Sequence, residues 1–505
     1  MVRSGARPLA MTAGLSLLIA VAGCTVGPNY RLPKQADFNA TEAQGVFVGA
    51  RHNPLVQEGS PRPEWWHLYR SPDLDRLVAA AFRENTHLRV ADANLERSHA
   101  LVELARYEGQ PHVEIGAGYD RALLSAEQYL STADLPPLNL YDLGLSASYE
   151  LDLFGRIRRG IEAAQATDEA VRAARDWVRV TVAAGVTGAY LEVCTAGDEL
   201  AVARRSVALQ RQSLALTRRL QKLGRATSLD ATRSRALVDQ LQSTIPSIEA
   251  RRRNALFRLA TLTGNPPAEF DAGLTRCTSA PPITEPIPVG DGAALLRRRP
   301  DVRAAERELA AATAEIGVAT AELYPRIVLG ASLGSTGIVG DILTHKTNSW
   351  AIGPLISWQL NRSGARATLA AASAAQKAQL ARFDGVVLEA LREVETALNV
   401  YTHDLRSESS LKEARDEAYQ AVTDAHLLQA DGRTGAFSTL DAERTLASSD
   451  AAYAAARARI AQDQVALFLA LGGGWETSSN DPTATEPPQD RPHKNSRASA
   501  RLIAP

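Results

Sequence analysis

Apolar positions along this chain recur with two different periods, and each period appears twice. The longer period, near 3.6, runs through Val171, Ala174, Val178, Val182, Val186, Tyr190 and Val193. Two rows then step by seven, Leu200, Val207, Leu214 and Val202, Leu209, Leu216, Leu223. Positions two apart fall on opposite flanks of a helix, so this segment packs against neighbours on both sides. No proline interrupts Arg156 to Leu223, which predicts a helix about 100 Å long, beyond the span of a compact domain. Arg366 to Leu428 repeats the character, with Leu391, Leu398 and Leu405 in one row and Val394 and Tyr401 in another. Return helices are predicted from about Ser228 to Thr263, kinked by Pro246, and from about Ser438 to Leu471.

The shorter period, of two residues, predicts strands. Tyr141, Leu143, Leu145, Ala147, Tyr149 and Leu151 alternate with Asp142, Gly144, Ser146, Ser148, Glu150 and Asp152. Val113, Ile115, Ala117 and Tyr119 repeat the pattern, as do Ile327, Leu329, Ala331 and Leu333, and then Trp350, Ile352, Ile356 and Trp358. Strands are therefore expected near 112–120, 141–152, 326–334 and 350–360, each close to the roughly 9–11 residues that a tilted strand needs to cross a bilayer. Tyr119, Tyr141, Tyr149, Trp350 and Trp358 lie at strand ends, where interfacial girdles form. A sheet with one wet face fits the same alternation when it is taken alone. In lipid, however, four strands cannot close, because the smallest single-chain barrels have about eight. A cyclic trimer supplies about twelve strands and pairs every edge.

The two periods are laid out as an internal repeat with an offset of about 210 residues. A helix from Leu88 to Glu108 stops at Pro111 before the first strand, and Val302 to Glu322 stops at Pro325. The second strand of each half ends in YELDLFGRIRRG (149–160) or WQLNRSGARA (358–367) and leads into a long helix. Each half closes with a glycine turn, LGRATSLDA (223–231) and DGRTGAFSTLDA (431–442). The repeats span 71–274 and 291–475, joined by a proline-rich linker over 275–290. Residues 121–139 and 335–349 read as the outward loops between strands, Pro33 to Pro63 as an extended arm around a collar, and 476–505 as a polar, disordered tail.

Charge and chemistry narrow the picture. Net charge is −1, so no global field favours nucleic acid. Arg3 and Arg7, an apolar stretch from Leu9 to Ala22, and then Val21-Ala22-Gly23-Cys24 form a signal peptide over 1–23, too short to span a membrane. The cysteine after small residues resembles a bacterial lipobox, which implies that Cys24 is lipidated and becomes the mature N-terminus. Thr25, not being aspartate, then permits export to the outer membrane. Cys194 and Cys277 have no framework spacing and are expected as two free thiols. No apolar run past the signal reaches about 18 residues. Gly330-Ala331-Ser332-Leu333-Gly334 matches the G-x-S-x-G nucleophile pattern but occupies an alternating strand, not a strand-to-helix turn. The histidines and cysteines show no metal spacing, and no cofactor or catalytic residue is expected. His67, His87 and His345 read as surface or loop residues, and Pro300 in LRRRPD as the opening of a helix.

CTVGPNYRLP (24–33), RRPDVRAAER (298–307) and LALGGGW (469–475), in this order along nearly the whole chain past residue 24, resemble the signature segments of NodT-type outer membrane efflux lipoproteins, relatives of TolC and OprM. The resemblance implies a mainly α-helical trimer with a twelve-stranded membrane β-barrel, a long periplasmic helical barrel and a mixed equatorial collar. It implies the exit duct of a tripartite pump, with a periplasmic adaptor and an inner membrane transporter, often of the resistance-nodulation-division class. Gly224 and Gly432, followed by Arg225 and Arg433, fall at the helix turns that form the periplasmic tip and meet the adaptor. Arg433 departs from the apolar residue usual after the second glycine. Asp424 and Asp431 match the acidic residues that ring the entrance and are candidates for the gate. Type I protein secretion is the alternative duct, and a lipid-anchored coiled-coil scaffold without a pore is the alternative from another class.

Overall fold

The two periods separate into a four-stranded sheet and a set of very long helices lying side by side. The computed structural model describes residues 25–51, 54, 56–57, 59, 61–125, 127, 132 and 136–476 of the 505-residue chain. The expected signal peptide, Cys24 and the tail from residue 477 lie outside the described residues. In chain order the elements are β1 (Val56–Gln57), α1 (Pro72–Glu84), α2 (Thr86–Tyr107), β2 (His112–Ala122), β3 (Leu138–Glu150), α3 (Arg156–Lys222) and α4 (Ser228–Leu262). They are followed by β4 (Ile287–Pro288), α5 (Gly292–Arg298), α6 (Pro300–Ala321), β5 (Arg326–Ile338), β6 (Asn348–Ser357), α7 (Ser363–Ala430) and α8 (Ala436–Leu471).

The repeat is exact enough to be read from element lengths. Helices α2 and α6 each have 22 residues, α3 and α7 have 67 and 68, and α4 and α8 have 35 and 36. The strands form one antiparallel sheet in the order β2-β3-β5-β6, so the halves meet through β3 and β5. Strands run further than their alternation indicated: the small and polar residues Ser335, Thr336 and Gly337 pair with Leu143, Asp142 and Tyr141. A ladder partner satisfies their backbone whatever their side chains, and the β5–β6 loop shrinks to 339–347. Pro246 does not end α4, which continues unbroken to Leu262. The arm is not uniformly extended either, being broken into short helical turns at Asp37–Asn39, Thr41–Gln44 and Val48–Ala50.

The main core lies where α1, α3, α4, α7 and α8 converge with Trp65 and Trp66. Trp65 is fully buried and stacks on Phe468 at 4.5 Å, and Tyr190 and Ser71 share a hydrogen bond of 2.9 Å. Each such large apolar side chain contributes about 1.5–3 kcal/mol by burial. A second cluster joins Ala36 and Ala43 of the arm to Val302, Leu309, Phe383 and Val387 on α6 and α7. One window of α3 is apolar enough to cross a membrane by composition, contrary to the expectation from apolar runs, but 83% of it is buried against other helices. It is core, not a span.

The two thiols expected to be free are joined: Cys194 on α3 and Cys277 in the linker form a disulfide. Linear spacing hid this because 83 residues of hairpin separate them and return the chain to its starting height. One turn below Cys194, a Cβ on Gly197 would stand 2.2 Å from the Cys277 carbonyl oxygen, so only glycine lets the linker lie against α3. Arg252 of α4 holds the strap by donating to the carbonyls of Thr275 and Cys277 at 2.5 and 2.7 Å.

Candidate channel wall, junctions and tips

The ladder assigns every strand residue to a face. Ile115, Leu145, Leu333 and Trp350 stand in one row across the four strands, and Val113, Ala147, Ala331 and Ile352 in the next but one. Ile115, Trp350 and Ile352 are 79%, 76% and 77% exposed, an apolar surface that a water-soluble sheet would bury. The opposite face carries Glu114, Ser146, Ser332 and Ala351 in one row, then Gly116, Gly144, Gly334 and Ser349, with Asp142 and Asp120 beyond. Small and acidic residues there make a wide, wet surface. Ser332 sits in mid-ladder between Ser146 and Ala351, away from any strand-to-helix turn. Tyr141 differs from the girdle residue expected: it is buried, and its hydroxyl bonds Ser335 at 2.8 Å and accepts the Leu343 N–H at 3.2 Å beneath the β5–β6 loop.

Strands flow into helices at two junctions of different chemistry. In the first, Glu150 pairs with Arg156 at 3.0 Å and Arg326 at 2.6 Å. Asp152 accepts the otherwise unpaired N–H groups of Ile157 and Arg158, capping the first turn of α3. In the second, neutral Gln359 and Asn361 take these places, Asn361 accepting the Ser363 N–H at 3.2 Å, while Arg362 covers the Trp358 ring at 4.9 Å. Below the junctions, Arg298 and Arg299 explain one signature segment. Arg298 donates to the Leu471 carbonyl and Arg299 to that of Ala470 at 2.9 Å, closing the C-terminal end of α8. Arg299, 1% exposed, also pairs with Asp301 at 2.6 Å and Glu393 at 2.7 Å. Burial alone would lower its pKa, but these two carboxylates leave it raised. Sequence reading used this run as a family signature and for its proline, which does open α6 at its first position, but not for the buried roles of its arginines.

At the far end both long helices close with the same motif. Gly224 and Gly432 each have φ +70°, Arg225 N–H donates to the Leu220 carbonyl and Arg433 N–H to that of Leu428, both at 2.8 Å. These are Schellman caps, which need the left-handed conformation glycine adopts freely. From each glycine the chain takes three residues to the next N-cap, Thr227 or Gly435, so α8 begins at Ala436 and not at Ser438. The later Leu-Asp-Ala match had hidden this equal spacing. Thr227 and Asp230 form a capping box, whereas Gly435 offers no side chain. Arg233 of α4 lies over Phe437 of α8 at 5.2 Å, setting the turns side by side. Arg225, Arg433, Asp424 and Asp431 are exposed, and among the described residues neither aspartate pairs with a cation of its own chain. Above the tips an open groove of about 610 Å³ separates the hairpins, lined by Leu209, Leu216, Tyr419 and Leu427. Among the described residues no cluster of His, Cys, Asp or Glu is arranged to hold a metal ion.

The family described as "Outer membrane efflux protein" matches residues 77–265 and 293–473, once for each repeat. The solvent efflux pump outer membrane protein SrpC of Pseudomonas putida is 31% identical over 92% of this chain and 98% of its own length. Nodulation protein T of Rhizobium leguminosarum bv. trifolii is 27% identical over 91% of this chain and 96% of its own. The solved outer-membrane channel OprN superposes with a TM-score of 0.83 at 34% identity, covering 90% of this chain and all of the other. The chain belongs to the outer membrane efflux protein family, and it is an outer membrane efflux channel with a periplasmic helical extension.

Proposed function

We propose that three copies of this chain form the exit duct of a tripartite efflux pump, coupled to a periplasmic adaptor and an inner membrane transporter of the resistance-nodulation-division class. One observation carries the reading: a sheet with an apolar outer face ends in two unpaired edges, β2 and β6. In hydrocarbon each unpaired backbone group costs several kcal/mol, and threefold symmetry removes both edges by seating β6 of one copy on β2 of the next. Twelve strands result, and α3, α4, α7 and α8 continue the wall as staves into the periplasm. Cargo moves passively through the wet face, with energy supplied by the inner membrane partner.

The tips at Gly224, Arg225, Gly432 and Arg433 are the adaptor's contact surface in this reading. Asp424 and Asp431, brought near the axis in triplicate, form the gate with arginines of neighbouring copies, which is consistent with their having no cationic partner among the described residues of one chain. Cys24 carries the acyl chains that anchor the assembly. Reconstitution in planar bilayers tests both levels. Discrete conductance steps are expected from the purified trimer, and charge reversal at Asp424 and Asp431 is expected to raise conductance by weakening the closed tip. A stable monomer that needs no detergent ends the duct reading, and variants that conduct like the parent end the gate.

A further inference from the structure

The chain immediately past residue 24 ends in a socket that the strand-to-helix turn itself does not require. Gly155 adopts φ +81°, and a Cβ there would stand 2.6 Å from the Thr25 side chain. Gly27, at φ +87°, lies flat on α6, where its Cβ would come within 2.5 Å of Gly317 Cα. A Cβ on Gly317 would in turn fall 2.7 Å from the Arg159 side chain. Arg159 of α3 is 3% exposed. Its guanidinium donates to the Val26 and Gly27 carbonyls at 3.2 Å each and to Asn29 Oδ1 at 2.8 Å, and it pairs with Glu162 at 2.6 Å. Val26 N–H completes the set by donating to the Phe154 carbonyl at 3.1 Å.

The second repeat has no such socket. Aligned on Gly155 and Gly364, Arg159 corresponds to Thr368, and aligned on the equal-length helices α2 and α6, Gly317 corresponds to Glu103. Gly364 meets nothing within 4 Å and has no positive φ. The same fold element is therefore built without these residues when no arm crosses it. From the socket the arm descends along α6 and α7, through Tyr30 to Glu306 at 3.1 Å, Asp37 N–H to Asp384 at 3.0 Å, and the backbone of Val48 to Glu395 at 2.6 Å, before entering the core at Trp65.

We infer that Arg159, Gly155 and Gly317 are a dedicated receptor for residues 25–29, and that this docking, made between the two repeats, fixes the chain at Thr25 at the base of the β-sheet. Only its last consequence rests on the acylation of Cys24: the acyl chains then enter lipid beside the barrel wall. Arg159 acts as a positioning residue. Its charge is permanent, so an undocked arm leaves a buried guanidinium short of three acceptors. The arm is accordingly held by its own contacts, and the acyl chains are not needed to keep it in place.

Limited trypsin digestion of the full chain in detergent, with cleavage after Arg31 and Lys34 mapped by mass spectrometry, tests this alongside labelled palmitate uptake in cells. Gly27→Leu and Arg159→Ala are expected to speed these cleavages by about tenfold or more through local opening, while both still take up palmitate. Cys24→Ser is expected to lose palmitate and keep the protected arm. Gly27→Leu changes only the arm, so it remains decisive if Arg159→Ala fails to fold. An arm as resistant in Gly27→Leu as in the parent, or one released by Cys24→Ser, overturns the receptor. A parent that takes up no palmitate overturns the acylation reading alone, because the cleavage pattern still judges docking.

Discussion

The two periplasmic hairpins share length, turn and heptad character, yet they are held at their bases in different ways. The first, α3–α4, is closed by the Cys194–Cys277 disulfide and begins its return with the Thr227–Asp230 capping box. The second, α7–α8, has neither. Its base depends on Arg298 and Arg299 gripping the last carbonyls of α8 and on a hydrogen-bonded chain from Tyr69 through Gln464 to Tyr401. Its turn opens on uncapped Gly435, and Asp404 and Asp463 face each other between its two helices. A groove opens between its lower part and α3, bridged by Ser213 and Glu443. One blueprint has thus produced a pinned stave pair and a looser one, and elements that move are drawn from the weakly held end of a structure. The candidate gate residues Asp424 and Asp431 belong to the looser pair.

The largest expected effect comes from removing the pin. A cross-link closing a loop of 83 residues stabilises a folded chain by about 2–5 kcal/mol, chiefly by restricting the unfolded chain. Cys194→Ser with Cys277→Ser is expected to lower the unfolding free energy by that amount, read as a lower guanidinium midpoint, and reductant is expected to bring the parent down to meet it. Equal midpoints would mean that the linker strap is held by Arg252 and packing alone, and that the difference between the hairpin bases is not covalent.

What could be read beforehand followed the range of the interaction. Periods of two and 3.6 depend on each residue's own face, so the strands, the long helices and their duplication were visible from Val113, Tyr141 or Leu200 outward. The tip glycines were legible because a Schellman turn imposes its demand within six residues. Cys194–Cys277 was not, since its partners meet only after a complete hairpin, and Gly197, which permits the approach, looks like any helical glycine. The buried roles of Arg159 and Arg299 were likewise not legible, because nothing adjacent in sequence announces the carbonyls of Val26, Gly27 or Ala470 to which they donate.

A smaller effect is expected at the turns. Thr227→Ala removes a side-chain acceptor from the first turn of α4 and should cost about 1 kcal/mol, whereas Gly435→Ser should strengthen the start of α8 by a few tenths. Hydrogen exchange of the amides at 228–231 and 436–439 checks both. Faster exchange in the first segment and slower exchange in the second would bring the two tips toward each other in local stability. No change at 228–231 would show that the capping box is not what distinguishes them.

The smallest effect is conditional on pH. Burial, reinforced by the charge of Asp404 and a hydrogen bond to it, raises the Asp463 carboxyl to about 6, with Arg459 pulling the other way. An acid whose folded pKa is raised binds its proton more tightly in the folded chain, so its stabilising contribution is complete below the ordinary value of 3.8 and fades as pH rises through about 6. At pH 7.5 the Asp463 carboxyl is ionised and is repelled by the charge of Asp404 across the α7–α8 seam. Asp463→Asn is therefore expected to raise the thermal midpoint at pH 7.5 and to lose that advantage at pH 5, where the parent side chain is already protonated. Comparing variant with parent at each pH isolates this carboxyl from every other group that titrates over the same range. An advantage that persists unchanged at pH 5 would place the gain in packing, and the seam of the second hairpin would then owe none of its looseness to charge.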